Sequence, residues 1–168
     1  KSLPPDHPDL ATTHNNIGFV YSKMGRYSES VSNLEKALEI REKSLPPDHP
    51  DLATTHNNIG SVYSDMGRYS ESLSNYENAL EIQEKSLPPD HPDLATTYEN
   101  MGSVYSKMGR YTESLSHYEN ALEIQQKSLP PDHPDLATAY ENIKAARVGM
   151  DRQTRVARSK FRKSEIFN

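Results

Sequence analysis

The 168-residue chain contains no cysteine. Disulfide frameworks, thiolate nucleophiles and cysteine metal sites are therefore excluded. No apolar run approaches the ~18 residues of a membrane-spanning helix, and no secretory signal pattern stands at the amino end. These absences lead to the expectation of a cytoplasmic protein with no membrane span. Apolar residues are also scarce, at 33% of the chain. That is low for a compact core and ordinary for a thin stack of helices. Absent too are the glycine-rich phosphate loops G-x-G-x-x-G and G-x-x-x-x-G-K-[ST] and the zinc motif H-E-x-x-H.

What the chain does contain is one block written repeatedly. The 42-residue stretch Lys1 to Glu42 is written again from Lys43, Lys85 and Lys127. The first two blocks differ only at six positions: Phe19/Ser61, Lys23/Asp65, Val31/Leu73, Leu34/Tyr76, Lys36/Asn78 and Arg41/Gln83. A period of this size signals a stacked array, in which each unit buries its apolar face against its neighbours. The expected organisation is an array over 1–150, with full units at 1–42, 43–84 and 85–126 and a partial one at 127–150. Residues 151–168 follow as a basic capping helix or tail.

Within a unit, S-L-P-P-D-H-P carries three prolines in seven residues, from Ser2 to Pro8, and reads as a linker. Pro8 and Asp9 suit a helix start. Leu10, His14, Ile17, Tyr21 and Met24 then fall at steps of 4, 3, 4 and 3, one face of a helix over about Asp9–Met24. Gly25 is placed to end it in the left-handed conformation. Ser28 is a candidate N-cap for a second helix, carrying Val31, Leu34, Ala37, Leu38 and Arg41 and running to about Lys43. Each unit is thus an antiparallel pair, helix A and helix B. Gly18, Gly60 and Gly102 sit mid-helix, where close approach of helix B is the economical reason, with Ala37, Ala79 and Ala121 as the small residues opposite. A ligand touching bare backbone there is the alternative.

The formal charge of −5 hides an asymmetry. Residues 141–168 hold eight Lys or Arg against Glu141, Asp151 and Glu165, a net of +5, which leaves residues 1–140 at −10.

The residues Ile17, Gly18, Tyr21, Gly25, Tyr27, Leu34, Ala37 and Leu38 form I-G-x-x-Y-x-x-x-G-x-Y followed by L/Y-x-x-A-L, which resembles the tetratricopeptide repeat. That repeat normally has 34 residues, and the extra ones here lie in the L-P-P-D-H-P-D-L segment. The run A-L-E-I-R-E-K-S-L-P-P-D-H-P-D-L is similar to the long repeats of kinesin light chain. The resemblance covers 1 to about 143 and implies an all-α, right-handed superhelical solenoid of antiparallel helix pairs. Three complete pairs are expected, then a fourth helix A over about Asp135–Val148. Ser30, Ser72 and Ser114 depart from the alanine usual in the family. In block four Lys144 replaces the glycine and Arg147 the seam tyrosine.

Histidines His7, His49, His91 and His133 recur in the D-H-P-D loops. Equivalent helices lie at least ~8 to 10 Å apart, whereas zinc bonds are ~2 Å. Different loops therefore cannot share an ion, no metal or other cofactor is expected, and a loop-building role is. An array of near-copies offers the same groups at regular spacing rather than different groups converging on one point, so no enzymatic activity is expected.

A second stripe on helix A remains. Thr12, Asn16, Phe19 and Lys23 are spaced 4, 3 and 4, beside the packed face. The array repeats them as Thr54, Asn58, Ser61 and Asp65, then as Thr96, Asn100, Ser103 and Lys107, with Asn142 continuing the amide row. Asn15 and Asn57 flank that row and become Glu99 and Glu141. In the family this wall lines a concave groove, so the resemblance implies that these residues hold a partner's peptide. A carboxamide offers donor and acceptor together, as an extended backbone does. A terminal-carboxylate clamp is not expected, because Thr12 and its copies stand where such clamps use basic residues.

Two functions are consistent with this pattern. The first is a protein-interaction scaffold with a peptide ligand in the groove. The second is a structural array that self-associates head to tail, with the amides bracing neighbouring helices. Block one is expected to expose Leu10 and Ile17 for want of a preceding repeat, and Lys1, inside a repeat loop, suggests a longer array. Nucleic acid is not an expected partner, although the basic tail leaves it open.

Overall fold

The computed structural model describes Pro4 and residues 7–166, with side chains to Ser159. Seven helices follow one another: α1 (Pro8–Lys23), α2 (Tyr27–Ser44), α3 (Pro50–Asp65), α4 (Tyr69–Ser86), α5 (Pro92–Lys107), α6 (Tyr111–Ser128) and α7 (Pro134–Ile166). Among the described residues there is no strand. Helix pairs α1/α2, α3/α4 and α5/α6 pack within repeats, while α2/α3, α4/α5 and α6/α7 join one repeat to the next.

Each helix A opens in the same way. The imidazole Nδ1 of His7 accepts the Asp9 N–H at 3.2 Å, and His49, His91 and His133 do the same for Asp51, Asp93 and Asp135. The loop histidines are therefore helix N-caps, and the proline after each fills the first turn, where no N–H is needed. The first three A helices each end at a glycine with positive φ, between 71° and 73° at Gly25, Gly67 and Gly109. There the Arg26 N–H reaches the Tyr21 carbonyl and the Gly25 N–H reaches Ser22, the paired bonds that close a helix.

Helix B begins one residue before the expected cap. Its N-cap is Arg26 rather than Ser28, and no side chain caps the first turn. Because the glycine bonds already tie Arg26 to helix A, the chain turns at once. The Arg26 guanidinium then bonds Glu29 at 2.6 Å and lies 4.5 Å above the Tyr21 ring.

Gly18 does mark close approach, but Ala37 is not its partner. A Cβ there would lie 2.7 Å from Leu34 Cγ, and at Gly60 and Gly102 it would meet the rings of Tyr76 and Tyr118 at 2.8 Å. Ala37, Ala79 and Ala121 are fully buried elsewhere in the seam.

Between repeats runs a buried polar row. Arg41 of α2 donates to the Asp51 carbonyl at 2.9 Å and to Thr55 Oγ1. One repeat on, Thr97 Oγ1 donates to Gln83 Oε1 at 2.7 Å. In the third copy Ala139 replaces the threonine. Gln125 therefore turns its Nε2 to Glu99 at 2.9 Å, and its Oε1 stays buried without a partner.

The fourth helix A does not stop at Val148, and residues from Met150 do not fold back into the helix B slot. A single helix of 33 residues runs from Pro134 to Ile166. Asp151 stands where Gly25, Gly67 and Gly109 supply the left-handed turn, so nothing stops the helix. Leu136, Ala139, Ile143 and Ala146 bury its first half, with Ile143 and Ala146 against Tyr118. Gly149 then lets α7 pass close to the Tyr111 ring, and Gln153 Nε2 donates to the Gly109 carbonyl at 2.6 Å. Residues 151–159 are exposed.

Candidate functional site

The second stripe of helix A is the one that the family resemblance implies as a groove wall. Thr12, Thr54 and Thr96 are exposed, but each hydroxyl donates to the carbonyl four residues back, that of Pro8, Pro50 or Pro92. Their methyl groups and oxygen lone pairs are what they can offer a ligand.

Asn16 is exposed, and Asn58, Asn100 and Asn142 are half-buried at the same register. Asn58 Nδ2 donates to Asn15 Oδ1 of the preceding repeat at 2.9 Å. Asn57 Nδ2 similarly donates to Thr97 Oγ1 of the following repeat at 2.9 Å. Asn15, Asn57 and Asn58 thus tie adjacent A helices together. A single bond leaves Asn58 its carbonyl oxygen and its second N–H. Glu99, in the register of Asn57, is half-buried and takes the Gln125 amide; burial, with Asp135 adding to it, pushes its carboxyl above the usual range. Glu141 is exposed beside Lys144 at 3.4 Å.

The variable positions are coupled to the core. Phe19 is exposed with the Lys23 ammonium 5.1 Å from its ring. Where Leu34 becomes Tyr76 and Tyr118, Phe19 becomes Ser61 and Ser103. Burial pushes the Tyr76 phenol up to about 12. The residue at 19, 61 and 103 thus changes together with the one at 34, 76 and 118. Lys107 Nζ reaches back 2.9 Å to Ser64 Oγ, while Asp65 remains exposed.

The bonds between Asn58 and Asn15 and between Asn57 and Thr97 are of the kind the alternative reading expects, amides bracing neighbouring helices, although the sequence does not name the partners. They join residues about one period apart, and a helical wheel drawn for one repeat does not show them. Among the described residues, no group of three or more His, Asp or Glu side chains is arranged to hold a metal.

A helix pair repeated with a mid-helix glycine against a leucine or tyrosine, closed by a glycine turn, defines a repeat solenoid. The tetratricopeptide repeat family model matches residues 9–85, 51–110 and 93–165, and the chain belongs to that family. No curated protein matches the sequence. Among solved structures, a kinesin light chain-like protein of Podosopora anserina with nearly identical repeats is similar at 23% identity and TM-score 0.77, covering 86% of this chain and 68% of that one. BtubC of P. vanneervenii is similar at 21% identity and TM-score 0.75, over 92% of this chain and 66% of its own. The first repeat domain of Spaghetti, bound to the HSP90 peptide SRMEEVD, is similar at 16% identity and TM-score 0.64, over 86% and 96%. At these identities the likeness is one of fold. The chain is an all-α, right-handed superhelical solenoid.

Proposed function

We propose that the chain is a protein-interaction scaffold that holds a peptide segment of a partner along the helix A wall. The observation that carries this reading is the amide row Asn16, Asn58, Asn100 and Asn142, which stays exposed or half-buried at one register through four repeats. An extended strand needs a donor and an acceptor at regular intervals, and the row offers both. Thr12, Asn15, Phe19 and Lys23, with their copies Thr54, Asn57, Ser61, Asp65, Thr96, Glu99, Ser103 and Lys107, line the same wall. The peptide carried by the Spaghetti neighbour supports this use of the fold. Catalysis has no part in the reading, since the wall repeats one set of groups.

Peptide-display selection against the full chain tests it. Selected peptides are expected to lose binding when Asn16, Asn58 and Asn100 are changed to Ala. Retention of binding by that variant defeats the reading. The alternative of head-to-tail stacking draws support from the exposed apolar side chains of α1. It is disfavoured at α7, which runs on as one helix from Pro134 to Ile166 instead of turning back, so that among the described residues no helix B pairs with it.

A further inference from the structure

The three interfaces between repeats use the same positions, but their donors and acceptors do not match equally well. At the first, Arg41 supplies the donors. It is 7% exposed, its Nη1 donates to the Asp51 carbonyl and to Thr55 Oγ1, and its Nη2 lies 3.8 Å from Asp51 Oδ2. At the second, Gln83 takes the arginine position and a hydroxyl completes the set. Thr97 Oγ1 donates to Gln83 Oε1 at 2.7 Å and accepts from Asn57 Nδ2 at 2.9 Å.

The third interface has neither the guanidinium nor the hydroxyl. Gln125 and Ala139 stand in their places, and Glu99 takes the register of Asn57. The Gln125 amide N–H goes to Glu99 at 2.9 Å. What remains is a surplus of acceptors. Gln125 Oε1 is buried without a partner, on a side chain only 7% exposed, next to the Glu99 and Asp135 carboxylates. Such an orphaned oxygen is rare in a folded protein and asks for a donor. No cation of the chain supplies one. Among the described residues no ion pair reaches Glu99, and Asp135 has the imidazole of its own helix cap, His133, at 3.6 Å. The first two cations of α7 are engaged elsewhere, Lys144 with Glu141 at 3.4 Å and Arg147 with Glu119 at 3.0 Å.

We propose that the third interface is a binding site for a guanidinium group, brought by an arginine of the partner's peptide. A guanidinium has donors and no acceptor, and its planar fork matches carboxylates. Glu99 and Asp135 supply the negative charge, and Gln125 Oε1 supplies a further acceptor. Arg41 is the internal template, a guanidinium already seated at this register against Asp51, the counterpart of Asp135. Glutamine and alanine at 125 and 139 take that head group and the threonine side chain out of the interface, and the Asp135 side chain is 62% exposed, open to an incoming group. That the guanidinium arrives on a peptide rests on the reading of the helix A wall, to which Glu99 belongs. The site itself does not depend on that reading.

NMR titration of the full chain with N-acetyl-arginine amide, and with its neutral isostere N-acetyl-citrulline amide, tests the site. The Gln125 side-chain amide is expected to shift saturably with the arginine compound alone. Glu99→Gln is expected to weaken that binding roughly tenfold or more. Ala139→Thr is expected to weaken it as well, because the new hydroxyl takes the Gln125 oxygen. Neither variant is expected to lower the melting temperature, which separates a lost site from a lost fold. No saturable shift at millimolar concentration, equal binding of the citrulline compound, or full affinity in Glu99→Gln overturns the proposal. The source is tested with peptides selected against the unmodified chain. Exchange of one arginine for citrulline is expected to weaken them in the unmodified protein and to have no further effect in Glu99→Gln. Selected peptides indifferent to both changes overturn the peptide as the source, whereas the wall reading itself is judged separately by the Asn16, Asn58 and Asn100 variant.

Discussion

The Ser30 hydroxyl donates to the Gly18 carbonyl oxygen at 2.7 Å, across the seam between helix A and helix B. Ser72 and Gly60 repeat the bond at 2.7 Å, and Ser114 and Gly102 at 2.8 Å. All three serines are fully buried. The serine that departs from the family's usual alanine thus serves the same close approach as the glycine. Ser72→Ala should cost about 1 kcal/mol, the net worth of one intramolecular hydrogen bond. Gly60→Ala should cost about 1–3 kcal/mol, because the new methyl group must displace the Tyr76 ring. Urea unfolding of the two variants checks both values; equal stability of Gly60→Ala and the unmodified chain contradicts the packing described.

Ala139→Thr should stabilise the last interface by about 0.5–1.5 kcal/mol. It restores the hydroxyl that Thr97 gives to Gln83 and offers a donor to the unpartnered Gln125 Oε1. Thr55 and Thr97 are fully buried at the equivalent sites, so the repeat geometry has room for the side chain. Thermal unfolding measures the effect, and destabilisation would show that the third interface packs more tightly than its predecessors.

Glu99→Gln should stabilise the chain at neutral pH. Burial raises the Glu99 carboxyl above its unfolded value, so the folded state favours the protonated form. The cost of ionisation is absent below the unfolded value of about 4.3, and it grows as pH rises through the higher folded value. Glutamine keeps an acceptor for the Gln125 amide and removes the charge. Stability compared at neutral pH and near pH 4 should show a gain that shrinks on acidification. A gain independent of pH would rule out this origin.

The fold was legible because each repeat states its own punctuation. Pro8 and Asp9 open helix A, Gly25 closes it, and the 4-3-4-3 spacing gives its buried face, while the capping role of His7 emerges only from the structure. What was not legible depends on partners outside the repeat's own line. Nothing in Gly18 alone distinguishes Leu34 from Ala37 as the residue that crowds it. Ser28 has the residue type of a cap, yet the bonds at Gly25 and Arg26 fix the turn so that the cap falls two residues earlier, at Arg26. The run-on of α7 is present in the sequence as Asp151 in a glycine position. In the site, the shared register of Asn16, Asn58, Asn100 and Asn142 follows from the 42-residue period. The bond from Asn58 to Asn15 spans 43 residues, so no local pattern reveals it.

Gly149→Ala should loosen α7 from the third repeat. A Cβ at this position would fall 2.5 Å from the Tyr111 ring, so the helix must shift away. The bond from Gln153 to the Gly109 carbonyl should lengthen or break with it. Amide hydrogen exchange at residues 109–112 and 149–153 reports the change. Unaltered protection would mean that α7 does not rest on this turn.

The central claim is that the amide row holds a partner's peptide and does not merely brace the stack. For a peptide selected against the unmodified chain, three amides contributing about 0.5–1.5 kcal/mol each predict a loss of roughly 10 to 2000-fold in Kd for the Asn16, Asn58 and Asn100 triple alanine variant. The decisive measurement is peptide affinity and melting temperature on that same variant. Lost affinity is predicted, with only the small drop in melting temperature expected from the Asn58 to Asn15 bond. Full affinity with a large drop in melting temperature would contradict the account.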